Sequence, residues 1–171
     1  MDLRYPIGNY SSKPLLTPSE REEAIAQIAA APKCLREAVT GLSPQQFDTP
    51  YRPGGWTVRQ VVHHLPDSHM NSYVRYKLAL TEREPTIKPY DEDLWANLAD
   101  SRETPVEVSL ALFEALHLRW VVLLRSMRDE DFARRARHPE RGIRTLDDMT
   151  SSSRPAGRHR GRVVRFSRPA I

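Results

Sequence analysis

Histidine is the residue type in this chain whose number and spacing could support chemistry. The chain has six histidines, and His63, His64 and His69 lie together in the segment VVHHLPDSHMN. The other three are His117, His138 and His159. Neutral imidazole is a common ligand of divalent metals, and a zinc-type site needs three or four ligands that converge on one point. Neither an HExxH nor a CxxC spacing is present, so the spacing alone does not establish a metal centre.

The helical phase of these residues gives a first prediction of their roles. At about 100° per residue, His69 falls inside the apolar stripe of its segment and His63 falls away from it. His64 falls on a polar flank of the same segment. The phase therefore predicts His69 as the inward-facing histidine. His69 and His117 can equally be core histidines whose hydrogen bonds are satisfied, and His138, which precedes a proline, is expected in a surface loop.

Three other groups of residues invite a chemical interpretation. Cys34 is the one cysteine, and a single helical cysteine is more often a small core residue than a nucleophile. The acidic run 91–93 is expected to be a solvated surface. The pair Gly54–Gly55 indicates a tight turn and not a phosphate-binding loop, because the Walker and Rossmann spacings are absent.

A start signal repeated four times defines the helices that must position these side chains. Each start has a threonine as the expected N-cap and a Glu, Gln or Asp three residues later. The four threonines are Thr17, Thr57, Thr104 and Thr145. Apolar periodicity then predicts helices over residues 18–39, 58–82 and 105–127. No alternating pattern predicts a strand. The sequence therefore predicts an all-α fold, a bundle of four helices.

The fourth helix is the exception, because its apolar pattern stops almost as soon as it starts. It begins at Thr145, and the composition changes after Met149 to serine, proline, glycine and arginine, which are poor residues for a helix interior. Residues 1–149 carry 20 basic and 22 acidic side chains, whereas residues 150–171 carry six arginines and no acid. The sequence thus divides into a bundle domain, residues 2–149, and an aberrant arginine-rich tail, residues 150–171, in place of most of the fourth helix.

Composition and charge limit the possible partners. The basic excess lies in the tail alone, so a nucleic-acid partner would depend on those residues, and only Phe166 adds an aromatic side chain there. No membrane partner is expected, since no run approaches the 18–20 apolar residues of a membrane span. The N-terminus lacks the pattern of a signal peptide. These observations predict a cytoplasmic protein, and a small-molecule substrate is expected only from a resemblance to a known family.

The segments DLRYPIG, YRPGGWTVRQVVHHLPDSHMNSY and KLALTEREPTIKPYDEDLW resemble the YfiT-like branch of the DinB superfamily, and this resemblance extends over residues 2–149. Members of that branch are described as metal-dependent hydrolases, and their relatives include bacillithiol S-transferases. The resemblance implies a DinB-like four-helix bundle, a homodimer, and one divalent metal per subunit, zinc or nickel, that activates water. Transfer of a low-molecular-weight thiol is the alternative reaction.

The resemblance also implies a ligand set that this chain does not complete. The family holds its metal with three histidines, of which His64 matches the first. The other two lie four residues apart on the last helix, and ungapped counting places them at Ala156 and Arg160; His159 matches a histidine that is not a ligand. This exact chain is therefore expected to be inactive or nearly so. A shift of reading frame near codon 150 would explain the tail, and a metal-free, non-catalytic remnant is the competing interpretation.

The family resemblance and the altered fourth helix lead to two further expectations. Asp67, Ser68 and Asn71 are expected one turn from His64 and could orient a ligand or contact substrate, or else form ordinary surface hydrogen bonds. Loss of a helix removes buried apolar side chains worth about 1.5–3 kcal/mol each, compared with a total stability of about 5–15 kcal/mol. The sequence therefore predicts that this exact chain is unstable.

Overall fold

A computed structural model describes residues 15–50 and 52–152, and the three long helices predicted from the sequence are its framework. The elements in chain order are α1 (Pro18–Val39), α2 (Pro44–Phe47), α3 (Val58–Thr81), α4 (Glu92–Ala96), α5 (Ala99–Glu103), α6 (Val106–Ser126), α7 (Asp129–Phe132), β1 (Arg135–His138), β2 (Gly142–Thr145) and α8 (Leu146–Ser152). Helices α1, α3 and α6 agree with the predicted bounds to within one residue. Within the described ranges, no helix is long and apolar enough to cross a bilayer.

Threonine caps start three of the four predicted helices. The side chain of Thr17 accepts a hydrogen bond from the Glu20 backbone, and the Glu20 carboxylate bonds back to the Thr17 backbone. Thr57 forms the same reciprocal pair at the start of α3. The Thr145 hydroxyl accepts from the Asp148 backbone N–H over 3.1 Å at the start of α8. Each cap satisfies donors that the first turn of a helix leaves free.

The box predicted at Thr104 does not form. The N-cap of α6 is Pro105, and no side chain caps it. The helix starts one residue later than the pattern predicts, so the threonine lies one position too early to bond to the first turn. The prediction of a fourth threonine cap was therefore wrong, although the helix itself is present.

The core lies where α1, α3 and α6 pack together. One cluster of buried side chains joins all three helices to α8, and it contains Ile25, Ile28, Tyr76, Trp120, Leu124, Phe132, Leu146 and Met149. A second cluster fills the other end with Ala31, Leu35, Val39, Val58, Val62, Leu110 and Phe113. Each long helix contributes to both clusters, so these helices fix the relative positions of the histidines on α3 and α6.

Helix α8, the described part of the fourth helix, is anchored to this core by side chains that bind its first turn. The Tyr76 hydroxyl lies 3.1 Å from the Leu146 carbonyl oxygen and 2.6 Å from Thr150 Oγ1. The Arg21 guanidinium donates to both carboxylate oxygens of Asp147, over 2.9 and 3.0 Å. The predicted tail from residue 153 onward lies outside the described residues.

A short β-hairpin precedes α8, contrary to the expectation of no strand. Strands β1 and β2 are antiparallel, and Arg135 pairs with Thr145 at one end and His138 with Gly142 at the other. Gly142 has φ +72°, a conformation that glycine adopts without strain. Four-residue strands contain too few alternations to register as a pattern in the sequence. The hairpin buries His138, so the prediction of a surface loop there was wrong.

Candidate active-site cleft

His64 lies on the first half of α3, half-buried against an aromatic ring. Its ring centroid is 4.7 Å from that of Trp56, in an edge-to-face arrangement. Trp56 is itself fixed, because its indole N–H donates to Asp93 over 2.8 Å. Burial lowers the pKa of His64, and the charges of Glu92 and Asp93 oppose that shift. The imidazole is therefore neutral at pH 7, and neither ring nitrogen bonds to a described residue.

The described residues do not complete a metal centre around His64. Within residues 15–50 and 52–152 there is no group of three or more His, Cys, Asp and Glu side chains placed to hold a metal ion. The two further positions implied by the family resemblance, Ala156 and Arg160, lie outside the described residues, as does His159. Neither alanine nor arginine is a metal ligand. The residues present therefore do not fit the three-histidine site.

His69 and His117 form a buried pair in the core, as one of the two sequence interpretations predicts. His117 Nδ1 lies 2.6 Å from the Ile28 carbonyl oxygen, and its Nε2 lies 2.9 Å from His69 Nδ1. A carbonyl only accepts, so His117 carries its proton on Nδ1 and accepts from His69 through Nε2. Burial lowers the pKa of His69 to about 3 and that of His117 to about 4. Both rings are neutral and have fixed tautomers.

His63 is buried, although its helical phase predicts an outward position. Its Nδ1 lies 2.7 Å from Ser109 Oγ on α6, and its Nε2 is buried with no hydrogen-bond partner among the described residues. Burial lowers its pKa. The apolar stripe underestimates the buried face of α3 because this helix also packs against α4 and α5.

A polar cavity of about 250 Å³ opens one helical turn beyond His64, between α3 and the hairpin. Its wall on α3 consists of Ser68, His69, Ser72, Arg75 and Tyr76, and its opposite wall includes Tyr90, Glu92, His138, Glu140, Arg141 and Arg144. From His64, the residues four, eight and eleven positions later share one face of a helix. That spacing could have revealed the α3 wall in the sequence, whereas the loop and hairpin residues carry no comparable signal.

The remaining candidates have mostly structural roles. Cys34 is exposed, so the expectation of a core cysteine was wrong. In the acidic run, Asp91 caps α4 by accepting from the Leu94 backbone N–H. Gly54, at φ +67°, lies in a tight turn as predicted. Asn71 donates to the Asp67 carbonyl oxygen over 2.9 Å, a bond within its own helix, which favours the surface interpretation for that residue.

The aromatic residues near the two long connections pack against neighbouring rings. The rings of Tyr90 and Trp95 lie 4.4 Å apart between centroids, and Trp56 packs on His64. These contacts fix the connection between α3 and α4 beside the cleft, so Tyr90 and Glu92 have defined places at its edge.

Comparison with known proteins gives this fold and cleft a context. Residues 27–151 match the model of the DinB superfamily. A Bacillus cereus strain 03BB102 protein with the name "Putative metal-dependent hydrolase" is 52% identical over 158 residues, covering 92% of this chain and 91% of that protein. A protein of the same name from Bacillus cereus strain ATCC 10987 is 55% identical over 141 residues, 82% of this chain and 81% of its own length.

A solved structure shares the architecture as well. It is described as "YfiT from Bacillus subtilis is a probable metal-dependent hydrolase with an unusual four-helix bundle topology". The two chains superpose with a TM-score of 0.85 and 47% sequence identity, over 88% of this chain and 87% of the other. The described fold is therefore that of the YfiT four-helix bundle, with a small antiparallel strand pair before α8.

Proposed function

The chain belongs to the DinB superfamily, and we propose that its function is metal-dependent hydrolysis, with a metal site that this exact sequence leaves incomplete. The observation that supports the activity is the 52% identity, over 92% of the chain, to a relative whose name carries it. His64 adds a chemical reason, because it is a neutral imidazole with both nitrogens unengaged by described residues, and a metal binds that form.

The metal site of this exact sequence lacks ligands that the family resemblance requires. One histidine does not hold a divalent ion, which needs three or four ligands. Ala156 and Arg160 stand at the positions where the resemblance requires imidazoles. We therefore derive no catalytic step for this chain, and we expect it to be inactive or nearly so. In a completed site, zinc or nickel is the expected metal.

A chimera tests the activity and the defect together. Residues 153–171 are replaced by the corresponding C-terminal segment of the Bacillus cereus relative, and metal per subunit is measured after zinc or nickel loading and gel filtration. We expect the unaltered chain to retain well under one ion per subunit and the chimera to retain about one. His64→Ala should abolish retention by the chimera. His63→Ala, a matched change at the neighbouring histidine, should leave at least part of it.

Two results would contradict the proposal. If the unaltered chain retains one ion that His64→Ala removes, the site is complete without the two last-helix histidines that the family resemblance implies. If the chimera folds but binds no ion, His64 is not a ligand. Hydrolysis of ester and amide test substrates by the loaded chimera, compared with transfer of a small thiol to an electrophile, separates the two candidate reactions.

A metal-free remnant is the second candidate, favoured by the non-ligating residues Ala156 and Arg160. Sequencing of the gene from codon 140 to beyond the present stop separates it from an error of reading frame. One inserted or deleted base that restores two histidines four residues apart supports the metal hydrolase. Confirmation of the present frame supports the remnant.

Cytoplasmic localisation remains a proposal that the single exposed thiol supports. Cys34 is unpaired and exposed, which suits a reducing compartment better than an oxidising one.

A further inference from the structure

The cavity between α3 and the hairpin holds an arginine, Arg75, that forms no ion pair with a described residue. The Arg75 guanidinium is half-buried, and its one hydrogen bond to a described residue is a long contact of 3.4 Å from Nη2 to the Lys88 carbonyl oxygen. No carboxylate among residues 15–50 and 52–152 forms an ion pair with it. A cation that is partly removed from water and lacks an ion-pair partner is costly, so an anion bound beside Arg75 would be favourable.

Other positively charged side chains near Arg75 further favour an anion in the cavity. Burial is the largest cause that lowers the pKa of Arg75, and the charges of Arg141 and Arg144 lower it further. Tyr90 and the charge of Glu92 oppose this shift. Arg144 is paired with Asp148, but the Arg141 side chain has no partner among the described residues. Glu92 and Glu140 also line the cavity, and neither approaches Arg75 closely enough to pair with it.

Further hydrogen-bond donors line the same cavity. The Nδ1 of His138 accepts from the backbone N–H groups of Glu140, over 3.2 Å, and Arg141, over 3.3 Å. Its proton is therefore on Nε2, which has no described partner and can donate. The Tyr90 hydroxyl is buried and lies close to the Ser68 side chain, which also lines the cavity.

A serine hydroxyl on α3 is also available to donate a hydrogen bond into the cavity. Serine in a helix commonly bonds back to a carbonyl of the preceding turn. The Ser72 hydroxyl makes no such bond and no other to a described residue, and its side chain lines the cavity wall beside Arg75. Hydroxyls, a neutral imidazole N–H and a guanidinium therefore surround one space.

We propose that this cavity binds the oxyanion group of a small molecule, a carboxylate or a phosphate, with Arg75 as its principal contact. Guanidinium matches both groups by donating two parallel hydrogen bonds, and Tyr90 and Ser72 supply further donors. The inference goes beyond the proposed hydrolysis and does not depend on it, because no residue that it uses is a candidate metal ligand. If both are correct, the substrate of the family site carries an anionic group about 16 Å along α3 from His64.

Direct titration of the metal-free, full-length chain tests the site. Inorganic phosphate and succinate are the two probes, added at constant ionic strength while amide chemical shifts are recorded. We expect saturable binding of at least one probe. Arg75→Met should weaken it at least tenfold, and Tyr90→Phe and Ser72→Ala should weaken it several-fold each. Arg125→Met removes the same charge from an exposed position on α6 that does not line the cavity, and it should leave the affinity unchanged.

Each result of the anion titration either supports the proposed site or overturns it. Equal weakening by Arg75→Met and Arg125→Met would show attraction to overall charge and overturn the site, as would the absence of saturable binding. Binding of phosphate alone or of succinate alone supports the site and identifies which oxyanion it takes. If Arg75→Met fails to fold, as judged by circular dichroism, Tyr90→Phe decides, since it removes one oxygen and keeps the ring. Metal retention is measured separately, so its failure leaves this result intact.

Discussion

The His69–His117 pair is the residue-scale feature with the clearest physical consequence. The two rings stack with their centroids 4.9 Å apart, and the Phe113 and Trp120 rings enclose them. Both rings are neutral in the folded protein because burial disfavours a charge on either of them. A proton added to either ring would place a charge in an apolar core, so protonation and folding oppose each other.

Acid is therefore expected to destabilise the fold through this pair. The ordinary histidine pKa of 6.5 falls to about 4 for His117 and about 3 for His69 in the folded state. A lowered folded pKa means that the unfolded chain binds more protons, so stability is complete above about pH 6.5 and declines as pH falls toward 4. The loss between pH 7 and pH 5 should be on the order of 2 kcal/mol or more. Urea unfolding at several pH values measures it.

A glutamine in place of His69 is the matching variant, because it keeps a hydrogen-bonding side chain but does not titrate. The pH dependence of His69→Gln between pH 7 and pH 5 should be weaker than that of the unaltered chain. An equally steep profile in both proteins would assign the acid sensitivity to other groups, among them His63 and His138, whose pKa values burial also lowers.

Residue type predicted the chemistry of these histidines better than position did. The sequence showed that α3 carries three imidazoles and that His69 points inward. It did not show that His63 meets Ser109, because that contact depends on how α6 crosses α3. Nor could it show His138 facing Arg75, since the two are 63 residues apart and meet only through the hairpin. Partners distant in sequence are set by packing, which periodicity does not encode.

Helix α8 is held to α1 by a buried ion pair between Arg21 and Asp147. Arg21 has 11% of its side chain exposed and Asp147 has 2%, and the Asp147 carboxylate also accepts from the Leu16 backbone N–H over 3.2 Å. Removal of one member of a buried pair leaves a charge without compensation. This pair is therefore the main polar attachment of the fourth helix within the described residues.

We expect Arg21→Met to lower the free energy of unfolding by about 3–5 kcal/mol. The matched control is Arg36→Met, which breaks the pair with Glu114, where both side chains are half exposed, and should cost less than about 1 kcal/mol. The double variant Arg21→Met, Asp147→Leu should recover part of the loss, because no isolated charge remains. Equal effects of the two single variants would show that the buried pair does not anchor α8.

The secondary-structure elements that were predicted from the sequence are those that depend on local sequence signals. Capping residues and apolar periodicity located α1, α3, α6 and the start of α8 to within one residue. The short helices α4 and α5 and the hairpin were not predicted, because four or five residues carry too little periodicity. The hairpin and the start of α4 line the cleft opposite α3, so the site was less predictable than the framework.

The outer face of α6 is the feature that bears on the whole molecule. Val108, Leu112, Leu118 and Val122 are exposed by 55%, 42%, 68% and 70%, and their spacing places them within about 120° of one another around the helix. The exposed Arg119 lies within the same arc, so the face is not purely apolar, but large apolar side chains grouped on one side of an exposed helix favour a protein interface. We propose that a second copy of the chain covers it, which would form the homodimer that the family resemblance implies.

Light scattering coupled to gel filtration tests the dimer. The unaltered chain should elute at about twice its 19.7 kDa mass, and the double variant Leu118→Glu, Val122→Glu should elute at the monomer mass, since burial of two carboxylates in an apolar interface is unfavourable. Val74→Glu adds a charge at an exposed apolar residue of α3, outside this face, and should stay dimeric. A monomeric unaltered chain at tens of micromolar would refute the dimer. A dimer that survives the double variant would show that the interface lies elsewhere than on α6. The surface around the polar cavity beside α3 would then be the next candidate interface.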